Sequence, residues 1–137
     1  MPIKRSPPQA LAGQIVLIIE DDPIMLRNLA QWFRQAGCKV AVAHDGVEGM
    51  EQFNKVRPNA VITDIIMPNR EGVETLMAIK AQAPDVKVLA ISGGGRLGST
   101  DLLAMARKLG ADAVMAKPFR STDVVGAVAR LLQPSDG

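Results

Sequence analysis

Five side chains in this sequence could do chemistry together: the carboxylates of Glu20, Asp21 and Asp64, the hydroxyl of Ser92 and the ammonium of Lys117. Each sits at the end of a short apolar run. Three carboxylates with no histidine beside them make a hard oxygen site. Such a site suits Mg²⁺, completed by a backbone carbonyl and waters, and suits zinc poorly. A divalent cation next to an ammonium and a hydroxyl forms a receptor for phosphate oxygens: the cations neutralise charge, and the hydroxyl and loop amides donate hydrogen bonds. The carboxylate in the middle, Asp64, can then act as a nucleophile. Phosphoryl transfer to a carboxylate needs in-line placement and charge stabilisation with little acid or base help, so a missing histidine is no obstacle.

These residues meet only if the elements carrying them bring their ends together. Ala60 to Thr63 is apolar, rich in Val and Ile, and without a polar face, which reads as a strand buried on both sides of a parallel sheet. Ile15 to Ile19, Lys39 to Ala43, Val86 to Ile91 and Ala113 to Ala116 read as four more strands. Between them, helical spacing recurs. Asp22 before Pro23 is a helix start, with Asp as N-cap and Pro at the first helical position. Met25, Leu26, Leu29, Trp32 and Phe33 form that helix's apolar stripe, read as core, and Gly37 ends it. Capping accounts for Asp22 but leaves Glu20 and Asp21, adjacent acids that repel unless a cation lies between them. Asp45-Gly46 starts a second helix, to about Val56. Val73, Leu76, Met77 and Ile79 mark a third, Ser99 or Thr100 to Lys108 a fourth, and Ser121 to Leu132 a fifth.

Strand and helix alternate five times, the signature of right-handed βαβ units. The expected fold is therefore α/β: a doubly wound, five-stranded parallel (βα)5 sheet of order 2-1-3-4-5, flavodoxin-like, in a single domain. In such sheets ligands bind outside the carboxyl ends of the strands, and this order places Glu20, Asp21, Asp64, Ser92 and Lys117 around one crevice.

Composition narrows the functions. A chain of 137 residues is one domain's worth. A net charge of +2, with one Trp, three Phe and no Tyr, offers neither a polyanion-binding patch nor a base-stacking set, so no direct nucleic-acid partner is expected. Cys38 is the one cysteine, which excludes an internal disulfide and fits a packed thiol. His44, the one histidine, reads as a surface loop residue. No apolar run reaches the roughly 18 residues of a membrane span, and the first residues lack a signal-peptide core, so a cytoplasmic protein is expected. Residues 1–14, with Pro2, Pro7 and Pro8 beside Lys4 and Arg5, read as a flexible lead-in without core contacts, 15–132 as the folded domain and 133–137 as a tail.

Ile18-Ile19-Glu20-Asp21-Asp22-Pro23, Thr63-Asp64-Ile65-Ile66-Met67-Pro68-Asn69-Arg70-Glu71-Gly72, Ile91-Ser92-Gly93 and Lys117-Pro118-Phe119 resemble the four signature segments of the two-component response-regulator receiver domain. The resemblance runs from Ile15 to about Leu132, and it is the four segments in order that make it specific. It implies that Asp64 accepts a phosphoryl group from the phosphohistidine of a sensor histidine kinase or a phosphotransfer protein. Asp21, Asp64 and the backbone carbonyl of Ile66 would hold Mg²⁺, with Glu20 helping through water. Ser92, Gly93 and Lys117 would hold the phosphoryl oxygens. In the family an inward-swinging aromatic residue commonly lies three positions before the lysine; here that position is Val114, so a rotating-ring switch is not expected, while movement of Ser92 remains open. The glycines of Gly93 to Gly98 suggest a mobile loop, expected to order on phosphorylation and reposition the helix from Ser99 to Lys108.

The last helix carries few charges, which leaves two readings: unusual burial, or an apolar face that, with the preceding helix, docks a downstream protein or a second copy in a homodimer. The chain ends about five residues beyond that helix, so the expectation is a stand-alone receiver that acts through protein contacts and is not an enzyme on an external substrate. Other readings stay open: a receiver cut from a longer hybrid kinase or regulator, an aspartyl-phosphate phosphohydrolase, and a receiver-like binding module that is never phosphorylated. The hydrolase would want a second Asp two positions after the first, where Ile66 stands.

Overall fold

The apolar runs form one parallel sheet in a computed structural model that describes residues 11–65, 71–93 and 99–133, and the side chains of all of these except 71 and 99–103. The strands are β1 (Ile15–Ile19), β2 (Lys39–Ala43), β3 (Ala60–Asp64), β4 (Lys87–Ser92) and β5 (Ala113–Ala116), in the order β2-β1-β3-β4-β5. The helices are α1 (Pro23–Gln35), α2 (Gly46–Val56), α3 (Glu71–Gln82), α4 (Ser99–Lys108) and α5 (Ser121–Leu132). β3, the middle strand, is buried at every position, which is why its sequence has no polar alternation. β2 and β5 form the edges and are partly exposed.

Alternate residues of each strand feed two apolar layers. Val16, Ile18, Ile62, Leu89 and Ile91 share one layer with Leu29 and Phe33 of α1 and Val124 and Val128 of α5. Leu17, Ile19, Val61, Val88 and Ala90 share the other with Phe53 of α2, Leu76 and Ile79 of α3 and Ala106 of α4. Cys38 is buried, as a packed thiol should be, and burial pushes its pKa up to about 11. Trp32 is half-buried against the α1 and α5 layer.

The helix starts follow their sequence signals. Asp22 accepts a hydrogen bond from the Ile24 amide at 3.0 Å with Pro23 at the first helical position. Asp45 Oδ1 accepts from the Glu48 amide at 2.8 Å, and Glu48 Oε1 accepts from the His44 amide at 2.8 Å. The His44 ring is exposed and lies 2.7 Å from the same carboxylate. The bond from the His44 amide is the main reason the Glu48 carboxyl is held below its ordinary pKa.

One expectation needs correction, and one open reading is decided. The lead-in does contact the core: Leu11 is 1 % exposed within the α1 and α5 layer, and Leu11 to Gln14 form a turn closed by the Gln14 amide on the Leu11 carbonyl at 3.0 Å. One leucine beside two hydrogen-bonded turn residues suffices to dock a segment whose composition reads as unstructured. For α5, which the sequence left open between burial and a docking face, the structure shows burial. Val124, Val125, Ala127 and Val128 are buried, and Leu131 and Leu132 pack half-buried on the same layer, so the shortage of charge reflects burial between the sheet and α1.

One bracket has no sequence signature. Lys80 Nζ donates to the carbonyls of Pro84 (3.0 Å) and Val86 (2.9 Å) and to Asp112 Oδ2 (2.9 Å), which also accepts from the Val88 amide (2.8 Å). It ties the end of α3 to the start of β4 and the turn before β5.

Candidate functional site

Strand register brings the site residues level. Ile19 pairs with Thr63, Asp64 with Ile91, and Ser92 with Ala116, so Glu20 and Asp21 leave β1 beside the end of β3, and Lys117 leaves β5 beside Ser92. Main-chain bonds hold these exits: the Glu20 amide donates to the Ala43 carbonyl (3.0 Å), the Ile65 amide to Ile91 (2.9 Å) and the Lys117 amide to Ser92 (2.8 Å).

Lys117 Nζ sits between two acids, 2.9 Å from Glu20 Oε1 and 3.1 Å from Asp64 Oδ2. Glu20 is fully buried, and its second oxygen accepts the Asp22 amide at 3.0 Å. Asp64 is buried and Asp21 exposed. One carboxylate oxygen from each of Glu20, Asp21 and Asp64 lies within 4.8 Å of the others, a spacing a single divalent cation can span.

The electrostatics follow from burial. Desolvation pushes the Glu20 carboxyl up to about 7, with the Asp64 charge adding to it and the bonds from Lys117 and Asp22 opposing. Burial alone would lower the Lys117 ammonium, but the bond to Glu20 and the charge of Asp64 outweigh it and the group is held above its usual pKa. The site is thus an acid-rich pocket with its one ammonium fixed in the charged form.

Ser92 Oγ is buried and has no hydrogen-bond partner, the one such side-chain atom among the described residues. A buried hydroxyl without a partner is costly, and this one stands at the end of β4, opposite Ala116 at the end of β5. Gly93 follows it with the Lys117 stem alongside: a Cβ there would meet Lys117 Cδ at 3.2 Å. Val114 lies half-buried in the layer facing α2 to α4, paired with Ala90.

Ile66, expected to lend a carbonyl, and residues 94–98 of the expected loop lie outside the described residues. Sequence reading missed Gly72 as a positioning residue. A Cβ on Gly72 would overlap the Asp64 carbonyl oxygen and Ile65 Cα, so glycine lets α3 start directly against the end of β3. The only hint was its place eight residues after Asp64.

Taken together, a 2-1-3-4-5 parallel sheet with acids at the ends of β1 and β3 and a lysine at the end of β5 defines a doubly wound α/β domain built around an acidic, cation-ready crevice. The chain belongs to the response regulator receiver domain family, whose sequence model matches residues 16–129. Among curated relatives, the transcriptional regulatory protein PrrA of Mycobacterium tuberculosis is 35% identical over 118 residues, covering 86% of this chain and 49% of PrrA. The Regulator of RpoS of Escherichia coli is 32% identical over 112 residues, covering 82% of this chain and 32% of that protein. The chain thus spans half or less of the length of these two relatives. Among solved structures, a receiver domain from Clostridium thermocellum superposes with a TM-score of 0.79 at 28% identity, over 87% of this chain and 94% of that one. A Francisella receiver domain does so at 0.77 and 26%, over 87% and 96%.

Proposed function

We propose that this receiver domain accepts a phosphoryl group on Asp64 from the phosphohistidine of a sensor histidine kinase or phosphotransfer protein, and signals by altered protein contacts. The observation that carries this reading is Lys117 bridging Asp64 and Glu20 beside the unpartnered hydroxyl of Ser92. In the transfer, an Asp64 carboxylate oxygen bonds to phosphorus as the phosphorus–nitrogen bond of the donor breaks, and the electron pair leaves with the imidazole nitrogen. Lys117 neutralises a phosphoryl oxygen, and the Ser92 hydroxyl and Gly93 amide donate to the others.

The acid cluster fits a divalent cation by its hard oxygen donors and their spacing. Asp21 and Asp64 would hold Mg²⁺ with the carbonyl of Ile66, and Glu20 would help through water. When bound, the cation supplies charge neutralisation at the phosphoryl oxygens. No external substrate is turned over in this reading. A pathway in the cytoplasm suits a chain in which no helix among the described residues is long and apolar enough to cross a membrane. The downstream partner is a protein.

Incubation with acetyl phosphate and Mg²⁺ tests the reading. An acyl phosphate that forms on the wild type and is lost in Asp64→Asn supports it. Rapid multiple turnover would instead show a hydrolase, and no adduct would show a binding module.

A further inference from the structure

We propose that the turn Leu11–Gln14 is a positioning element of the acidic site and acts on it through α1 from the far end of the molecule. The turn precedes residues 16–129, the span matched to the receiver family, and yet Leu11 is 1 % exposed in the same buried cluster as Leu29, Phe33, Ala36 and Cys38. It is tied to the connection that leads from α1 into β2. The Gly13 amide donates to the Gly37 carbonyl at 3.0 Å, and the Lys39 amide donates to the Gln14 carbonyl at 2.8 Å. Gly13 and Gly37 have φ of +82° and +96°, which only glycine adopts readily, so the clasp is specified by the sequence on both sides.

The other end of α1 belongs to the site. Asp22 caps the helix, and its amide donates to Glu20 Oε2 while Glu20 Oε1 holds Lys117. α1 has 13 residues and so a length of about 20 Å. Leu26, Leu29, Ala30 and Phe33 bury its inner face. A close-packed interior transmits strain, so a change in how α1 is seated near Gly37 reaches the Asp22 amide at its other end. Glu20 is buried with both oxygens committed and has little freedom to follow. Leu11 therefore sets the geometry of Glu20, and through it that of Lys117, without touching either.

A purely structural Leu11 would affect stability alone, and amide exchange separates the two roles. In metal-free Leu11→Ala, the Asp22 amide is expected to exchange about tenfold faster relative to the amides of Val61 and Leu89, a local loosening at the far end of α1. Isothermal calorimetry with MgCl₂ on fully folded protein is expected to show binding weakened about threefold to tenfold, the scale of coupling through a packed element. Leu11→Met should restore both. The proposal is overturned if Asp22 exchange rises only in proportion to Val61 and Leu89 and Mg²⁺ affinity is unchanged. Should Leu11→Ala not fold, Leu11→Val gives the same comparison. The magnesium arm rests on the reading of the site given above. If the wild type binds no Mg²⁺ that reading fails, while the Asp22 exchange still decides this one.

Discussion

Lys117 and Asp64, 53 positions apart in the chain, meet at 3.1 Å between Nζ and Oδ2. β4 lies between their strands in the sheet, so the contact depends on the reach of the lysine side chain from the β5 end across Gly93. The same ammonium holds Glu20 at 2.9 Å, and it is the one cation seen bridging buried acids among the described residues.

Removing that ammonium strands two buried acids. Lys117→Met is expected to lower metal-free stability at pH 8 by about 2–4 kcal/mol, the cost of breaking a buried pair from one side. Urea denaturation measures it. The loss should shrink toward pH 5 as Glu20, whose carboxyl is raised to about 7, takes up a proton, and an unchanged midpoint at pH 8 would show that Lys117 does not neutralise the acids it bridges.

Glu20 makes stability depend on pH near neutrality. Its folded pKa, about 7, lies above the ordinary value of 4.5, so between those values the folded chain binds more protons than the unfolded one. This group's contribution is therefore fully present below pH 4.5, declines as pH rises through 7 and is flat above. With each pH unit between the two values worth about 1.4 kcal/mol, and allowing for the opposing charges around the group, the change is on the order of 2–3 kcal/mol. The difference between wild type and Glu20→Gln in metal-free urea titrations from pH 5 to 8 isolates it. A difference that does not vary with pH would contradict the raised pKa of Glu20.

Ser92→Ala separates folding from function. The hydroxyl is buried without a partner, so its loss should leave metal-free stability unchanged or raise it by about 1 kcal/mol. Binding of beryllofluoride with Mg²⁺, an analogue of the phosphorylated state, should weaken about tenfold, the worth of one hydrogen bond to a charged group. Equal affinity in the two proteins would remove Ser92 from the phosphoryl site.

Much of this arrangement is legible in the sequence because strand runs and turn residues are local signals. The β3 run, the Asp22-Pro23 helix start and the order of acids, hydroxyl and lysine each announce themselves within a few residues. What escapes depends on distant partners. Leu11 looks like one apolar residue in a proline-rich lead-in until the α1 and α5 layer closes around it. Gly72 looks like a turn glycine until the Asp64 carbonyl arrives beneath it. On α5, periodicity shows how apolar a helix is and not how many neighbours cover it, so burial on the sheet and α1 could be read as an open face. Lys80 and Asp112, 32 positions apart, carry no pattern at all.

Lys80 and Gly110 support a double-mutant test. Gly110 has φ of +119°, and a Cβ there would meet Lys80 Cγ at 3.0 Å, so Gly110→Ala suffers from both backbone conformation and contact with the lysine stem. Lys80→Ala removes the donor to Pro84, Val86 and Asp112. Each single change is expected to cost about 1–3 kcal/mol. In the Lys80→Ala background the stem beyond Cβ is gone but the φ remains, so Gly110→Ala should cost less there by about 0.5–1 kcal/mol without becoming neutral. Strict additivity in urea denaturation would mean that the stem does not press on position 110 and that the conformational cost stands alone.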